Sequence, residues 1–226
     1  MMNLEYKIFS KCGRRETNQD RIAILTGPLR SLFVLCDGMG GGRCGDKAAE
    51  AVSTGLIRYW ERTAGWPDSE KKVIEACRKV SRRLMAKGET MGGVRMGTTM
   101  VMASFKAERL TVANCGDSRC YVIRPGEGMV LRTQDHLQDG YEHGPLTRAF
   151  FSYGPERYKP DTYILECKPG DTVFLCSDGV HRYIQPEVLD TLLSDDRPLE
   201  EISDELVRLC QEQSHDNFSG IIIRIL

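Results

Sequence analysis

Four aspartates in this 226-residue chain follow apolar runs or precede them, and each sits beside small or polar turn residues. Asp37 closes SLFVLC and enters Gly38-Met39-Gly40-Gly41-Gly42, and Asp178 closes TVFLCS and enters Gly179. Asp117 follows RLTVANCG, and Asp216 lies in His215-Asp216-Asn217, just before the last apolar run. A fifth, Asp20, ends Arg14-Arg15-Glu16-Thr17-Asn18-Gln19-Asp20 and stands before the apolar run at 22–25. Carboxylates are hard oxygen ligands suited to Mg²⁺ or Mn²⁺; strand ends hold them in fixed positions, and glycine lets backbone and water approach closely. Several converging on one sheet end would make a binuclear site. Two such cations lower the pKa of a bridging water and clamp a phosphoryl oxygen, so phosphoester hydrolysis needs no Ser or Cys nucleophile. Taken singly, an Asp beside a Gly is equally an ordinary turn, because Asp hydrogen-bonds its own backbone there. The glycine-rich stretch 38–45 lacks the GK[ST] ending of a P-loop and the G-x-G-x-x-G spacing, which argues against nucleotide binding.

The elements that must position these residues are mostly short β-rich runs. Strands are expected at 4–9, 21–25, 31–36, 98–105, 109–114, 119–123, 172–176 and 220–226 by length and composition. The runs 98–105 and 109–114 meet at Lys106-Ala107-Glu108, and 119–123 and 129–132 flank Pro125-Gly126-Glu127-Gly128, so sequential strands pair as hairpins in antiparallel sheets. Apolar residues at three- and four-residue spacing predict helices over 46–63 and 69–87, the second starting after Pro67-Asp68 and stopping at Gly88. Two more are expected at 186–193, opening on Pro186, and at 199–213. Because a sheet must bury a face, helix pairs interrupting an antiparallel set imply an α/β fold of the α+β type, with helices outside two stacked antiparallel sheets. One domain over 1–226 suffices for this length. Lys71, Lys72, Arg78, Lys79, Arg82 and Arg83 fall on the polar side of the second helix and read as a solvated face.

Composition narrows the function classes. With 31 basic against 32 acidic residues the formal charge is -1, which gives no support for a nucleic-acid or membrane-surface partner. Nine cysteines without a Cys-x-x-Cys pair read as reduced, mostly buried thiols. The start carries no basic segment followed by an apolar one, and no apolar stretch reaches the ~20 residues of a membrane span. A cytoplasmic protein is expected.

In order along the chain, RETNQD (15–20), LFVLCDGMGG (32–41), MGTTM (96–100), ANCGDSR (113–119), TQDH (133–136), GDTVFLCSDG (170–179) and HDNFSG (215–220) resemble the successive motifs of the metal-dependent protein phosphatases, the type 2C family. The resemblance implies a four-layer α-β-β-α sandwich with the metals in a cleft at one end. It implies a serine/threonine protein phosphatase acting on phosphoserine and phosphothreonine, with two core Mn²⁺ or Mg²⁺ ions. By motif, Asp37 bridges the core metals, the Gly38 carbonyl binds one, and Asp178 and Asp216 serve the other. Asp117, together with Asp178, matches the site of a third, weaker metal in bacterial members. Asp20 resembles the acceptor that supports metal-bound water. Arg15 matches the arginine that grips the substrate phosphate through its planar fork, and Asn217 supports the turn after Asp216.

Three departures stand out. Some family members place a histidine after the DG, where it can protonate the leaving alkoxide; Met39 stands there and cannot. Only eight residues separate TQDH from PLTRAF, so the flap beside the cleft, at about 137–160, is expected to be short. In Gly42-Arg43-Cys44-Gly45 a cysteine replaces the usual histidine form, leaving Cys44 either an oxidation site or an inert half-buried thiol. His136 serves either a structural bond or proton transfer, and His143, His181 and His215 show no ligand spacing. The implied partners are phosphorylated proteins and a cognate Ser/Thr kinase, with the enzyme a monomer. The alternative is a non-catalytic module on the same fold that binds a phosphoprotein or regulates a kinase. Every metal-binding carboxylate position is filled, which favours the enzyme, and a nuclease would carry a basic or aromatic stripe that this chain lacks.

Overall fold

The computed structural model describes residues 3–39, 44–139 and 144–226, so Gly40 to Arg43 and His143 lie outside the described residues. Thirteen strands and five helices follow one another among the described residues. Three strands, β1 (Leu4–Lys11), β2 (Arg21–Gly27) and β3 (Arg30–Cys36), lead through the two-residue β4 (Gly38–Met39) into helices α1 (Gly45–Arg62) and α2 (Glu70–Thr90). Then come β5 (Gly97–Thr98), β6 (Met100–Lys106), β7 (Arg109–Cys115), β8 (Arg119–Arg124), β9 (Gly128–Arg132), β10 (Phe150–Phe151), β11 (Asp161–Glu166) and β12 (Thr172–Cys176). The chain closes with α3 (Asp178–His181), α4 (Pro186–Ser194), α5 (Leu199–Gln213) and β13 (Phe218–Ile225).

Two five-stranded sheets, ordered β1-β13-β12-β8-β9 and β11-β7-β6-β3-β2, are antiparallel throughout. Strand periodicity distributes their side chains over three apolar layers. Along β3, Leu32, Val34 and Cys36 pack with Trp60, Val73 and Cys77 of the α1–α2 pair, whereas Phe33 and Leu35 join Val122, Val173, Leu175 and Ile221 between the sheets. On the far side, Phe174 and Cys176 of β12 pack with Leu189, Ile202 and Leu206 of α4 and α5. Both faces of the central strands are buried, which is why SLFVLC, TVFLC and GIIIRIL read as continuous apolar runs instead of alternating ones. The expected four-layer α-β-β-α sandwich is therefore the observed one.

Both expected hairpins form, β6–β7 and β8–β9, the first with Ala107 at φ 53° in its turn. Helix α2 begins where expected: the Ser69 side chain accepts from the Lys72 N–H at 3.3 Å. It does not stop at Gly88, however, but runs on to Thr90. A Cβ on Gly88 would press on the Ser152 side chain, so this glycine serves a close helix–strand approach and not a helix stop. The strand expected at 98–105 is split at Thr99 into β5 and β6, and four further elements were not expected. β11 is an edge strand whose segment becomes a strand only by pairing with β7, and β4, β10 and α3 are too short to carry a periodic signal.

Lys72 is the second correction, since it is buried and not part of a solvated face. Its Nζ lies 2.7 Å from Asp68 Oδ1, and Asp68 Oδ2 accepts from Ser104 Oγ at 2.5 Å. Trp60 Nε1 donates to Ser104 at 3.0 Å, and Arg30, at the start of β3, donates to the carbonyls of Trp60 and Ala64. Burial alone would raise the Asp68 pKa, but the Lys72 and Ser104 hydrogen bonds and the Lys72 and Arg30 charges outweigh it and hold the carboxyl below its usual value. The same burial pushes Lys72 down, so the pair is held by all of Asp68's donors and not by the ammonium alone. Asp68→Ala leaves two buried cations uncompensated and should lower stability by about 3 kcal/mol in denaturant unfolding at neutral pH. A depressed carboxyl contributes fully above its unfolded pKa and loses that contribution as pH falls through the folded one, so the gap between variant and parent should narrow below about pH 4.

Candidate metal centre

The strands β3, β7 and β12 end, and β13 begins, at the same end of the sandwich. Antiparallel register sets Cys176 of β12 opposite Gly220 of β13, which brings Asp178 beside the Asp216-Asn217 turn. A Cβ on Gly179 would overlap the Asn217 carbonyl, so only glycine permits that approach. In the other sheet, Thr98 and Thr99 hold Asp37 by its backbone. The Asp37 N–H donates to Thr99 Oγ1 at 3.1 Å, and its carbonyl accepts from Thr99 N at 2.9 Å and Thr98 Oγ1 at 2.8 Å. Thr99 Oγ1 also lies 2.7 Å from Ser118 Oγ, next to Asp117. This is the role of the MGTTM motif, which the sequence showed as a motif without revealing its contacts.

The result is a cleft of about 780 Å³ lined by Asp37, Asp117, Asp178 and Asp216, with Arg15 and the Gly38 backbone at its edge. Asp46, in the first turn of α1, lines it too and was not singled out in the sequence; it lies 3.5 Å from Arg21. Asp20 is buried just behind, its Oδ2 accepting from Ser177 Oγ at 2.9 Å while Oδ1 has no hydrogen-bond partner among the described residues. Burial and neighbouring carboxylates act together on these acids. Asp37 is pushed well above the usual range by burial and by the charges of Asp20, Asp178 and Asp117. Asp178 is raised by burial and by Asp216, against the pull of Arg182. Asp20 rises to about 7 through burial, despite its serine bonds, and Asp117 to about 6 through burial and the Asp178 charge. Carboxylates gathered this way in one buried cleft cannot all ionise without a cation among them.

That donor set fits two hard divalent cations, although among the described residues no three acidic, imidazole or thiol side chains close on a single ligand-sized point. Two arginines hold acids of this cleft. Arg15 grips Asp216 in a fork, Nε to Oδ1 at 2.9 Å and Nη2 to Oδ2 at 2.8 Å. Arg182, one helical turn after Asp178, reaches both Asp178 and Asp117. Arg15 thus lies beside the cleft, with its fork on Asp216. Arg14 points elsewhere, to His215 Nδ1 at 2.9 Å and the Glu212 carbonyl at 3.1 Å.

His136 and His181 make structural bonds. His136 Nδ1 accepts from the Gly116 N–H at 3.1 Å, so its Nε2 carries the proton and donates to Asp161 at 3.0 Å. His181 is buried, its pKa lowered to about 3 chiefly by burial, and donates from Nε2 to the Asp117 carbonyl at 2.8 Å. Cys44 sits half-buried before α1, and the six thiols at 36, 77, 115, 120, 176 and 210 are buried and reduced.

An α-β-β-α sandwich with aspartates gathered at one end of its paired sheets is the architecture of metal-dependent phosphatases. The profile of the family described as protein phosphatase 2C matches residues 10–219, and the chain belongs to that family. It is 26% identical over 213 residues to the serine/threonine phosphatase stp of Listeria monocytogenes serotype 4b, covering 85% of this chain and 83% of the relative. Protein phosphatase PhpP of Streptococcus pneumoniae is 25% identical over 229 residues, covering 91% and 90%. Among solved structures, Stp1 from Staphylococcus aureus superposes with a TM-score of 0.87 at 26% identity over 99% of this chain and 96% of that one. The catalytic domain of PstP in complex with two manganese ions gives 0.83 at 26% identity over 100% of each.

Asn217 does more than support its own turn. Its Nδ2 donates to the Cys12 and Thr17 carbonyls at 2.8 and 2.9 Å, and its Oδ1 accepts from the Gln19 N–H at 2.9 Å, so one buried amide fixes the segment that carries Arg15. Asn217→Ala should destabilise the protein by about 2 kcal/mol through the groups left unpaired. Hydrogen exchange should show residues 12–19 losing protection selectively; uniform loosening of the fold would contradict this assignment.

Proposed function

We propose that the protein is a serine/threonine protein phosphatase that hydrolyses phosphoserine and phosphothreonine in proteins, with water activated between two divalent cations. The observation that carries this reading is the set of buried, mutually repelling carboxylates lining one cleft at the strand ends. Family membership and the two manganese ions of the PstP structure support Mn²⁺ as the cofactor, and Mg²⁺ has the same oxygen preference. When bound, the cations would supply a water of lowered pKa and a clamp on phosphoryl oxygen. Asp37 would hold both, the Gly38 carbonyl one, and Asp178 and Asp216 the other.

The remaining steps belong to this chain's own residues. Asp20, anchored by Ser177, would accept a hydrogen bond from water in the cleft. Arg15, more than half exposed at 58%, would exchange Asp216 for the substrate phosphate, for which the same two-pronged geometry serves. Asn217 keeps its loop in place. Met39 lines the cleft and has no proton to give, so the leaving alkoxide takes its proton from another group or from water. The flap at about 137–160 reads as short from the sequence; its described part holds the Leu137–Leu146 bridge and the β10 pairing to β5, and a short flap would leave the cleft open to protein substrates. The catalytic unit is one domain over 1–226, a monomer working in the cytoplasm opposite a cognate Ser/Thr kinase.

Purified protein should hydrolyse a phosphothreonine peptide with Mn²⁺ and lose that activity with chelator. Asp178→Asn should lower kcat at least about 100-fold, whereas Arg15→Ala should act mainly on KM, by roughly tenfold for one charge-assisted pair. Metal binding without turnover of any phosphopeptide or aryl phosphate would favour the non-catalytic module instead.

A further inference from the structure

The turn after α3 puts a fixed positive charge where the resemblance places a third cation. Arg182 follows Asp178 by four residues, and its N–H is bonded to the Asp178 carbonyl at 3.1 Å. Nη1 lies 3.1 Å from Asp178 Oδ2, and Nη2 donates to Asp117 Oδ2. The preceding residue, His181, holds the same aspartate from the other side, through its bond to the Asp117 carbonyl. Two successive side chains of one short helical turn thus fasten Asp117, and one of them spans both carboxylates that a third ion would need.

Those residues do not fit such an ion. A guanidinium carries charge but offers no lone pair to a metal. A divalent ion between the same two oxygens would stand within a few ångströms of it and be repelled. Arg15 grips Asp216 comparably but is in a different position. It rises from an exposed bend, is 58% exposed against 24% for Arg182, holds one carboxylate where Arg182 holds two, and can swing to another anion. Arg182 is tied by its backbone into α3, and its partners Asp117 and Asp178 are only 7% and 16% exposed.

We propose that Arg182 takes the place of a third divalent cation in this protein, its guanidinium bridging Asp117 and Asp178 so that the centre binds two ions and no third. The proposal rests on the two-cation reading of the site. It makes Arg182 a positioning residue: it neutralises Asp117 and orients Asp178, a ligand of the core pair, and it ties both to α3. The charge it supplies does not depend on the free metal concentration, so metal binding should saturate in the affinity range of the core pair, without a weaker step above it.

The test is Mn²⁺ binding to the full chain by equilibrium dialysis and calorimetry. Parent protein should bind two ions, Arg182→Gln should gain a third and weaker one, and adding Asp117→Asn to that variant should remove it. Asp117→Asn in the parent should leave the count at two, a measurement that stands even if Arg182→Gln folds poorly. A third ion in the parent that Asp117→Asn removes would overturn the proposal while leaving the two-cation reading intact. A folded Arg182→Gln that binds no more than the parent would overturn it as well. Absence of any Mn²⁺ binding would overturn both together.

Discussion

The charges of Asp20, Asp117 and Asp178 each raise the pKa of Asp37, and Asp178 raises those of Asp20 and Asp117 as well, in surroundings that already penalise charge. Such a cluster would push itself apart on a flexible chain. It persists because each acid is fixed by backbone that has no freedom to retreat: the end of β3 is bound by Thr98 and Thr99, the α3 turn is pressed against the Asn217 carbonyl, and Asp117 is held by His181. The apolar layers above and below the two sheets supply the stiffness, and the confined negative charge is what they hold in place. A hard divalent cation relieves that repulsion best, which is why the site reads as a metal centre.

Positive charge reaches the cluster by two routes of different permanence. Arg15 comes from an exposed loop that Asn217 pins by three hydrogen bonds, and its fork holds Asp216 alone. Arg182 comes from inside the fold and holds two acids at once. The same side chain thus does different work according to how its backbone is tethered, a distinction that residue type alone does not carry.

A comparable logic recurs away from the cleft. The Asp68 network joins the start of β3, the end of α1, the start of α2 and β6 through one buried carboxylate, so the helical layer is latched to its sheet by polar contacts as well as by apolar packing. Lys72 shows the difference between a helical wheel and a folded protein. Its position beside Lys71 suggested solvent, but its long side chain lets the ammonium reach back to Asp68 and lie over the Trp60 ring, 4.6 Å from its centroid.

The sequence by itself determined the layers and the list of acids. Continuous apolar runs mark strands buried on both faces, three- and four-residue spacing marks the helices, and Asp–Gly at strand ends marks where carboxylates can meet, because these signals are local and repeat. Asp37 and Asp178 stood out for that reason, Asp117 and Asp216 as acids in turns beside apolar runs, and Asp20, Arg15 and Asn217 by their place in recurring motifs. Only the tertiary structure decided which cation answers which acid. Arg15 on Asp216, Arg182 across Asp117 and Asp178, His136 on Gly116 and Asp46 on the cleft wall are pairings set by strand register and a four-residue helical turn. Long polar side chains can reach several partners from one position, so spacing along the chain does not say which they choose.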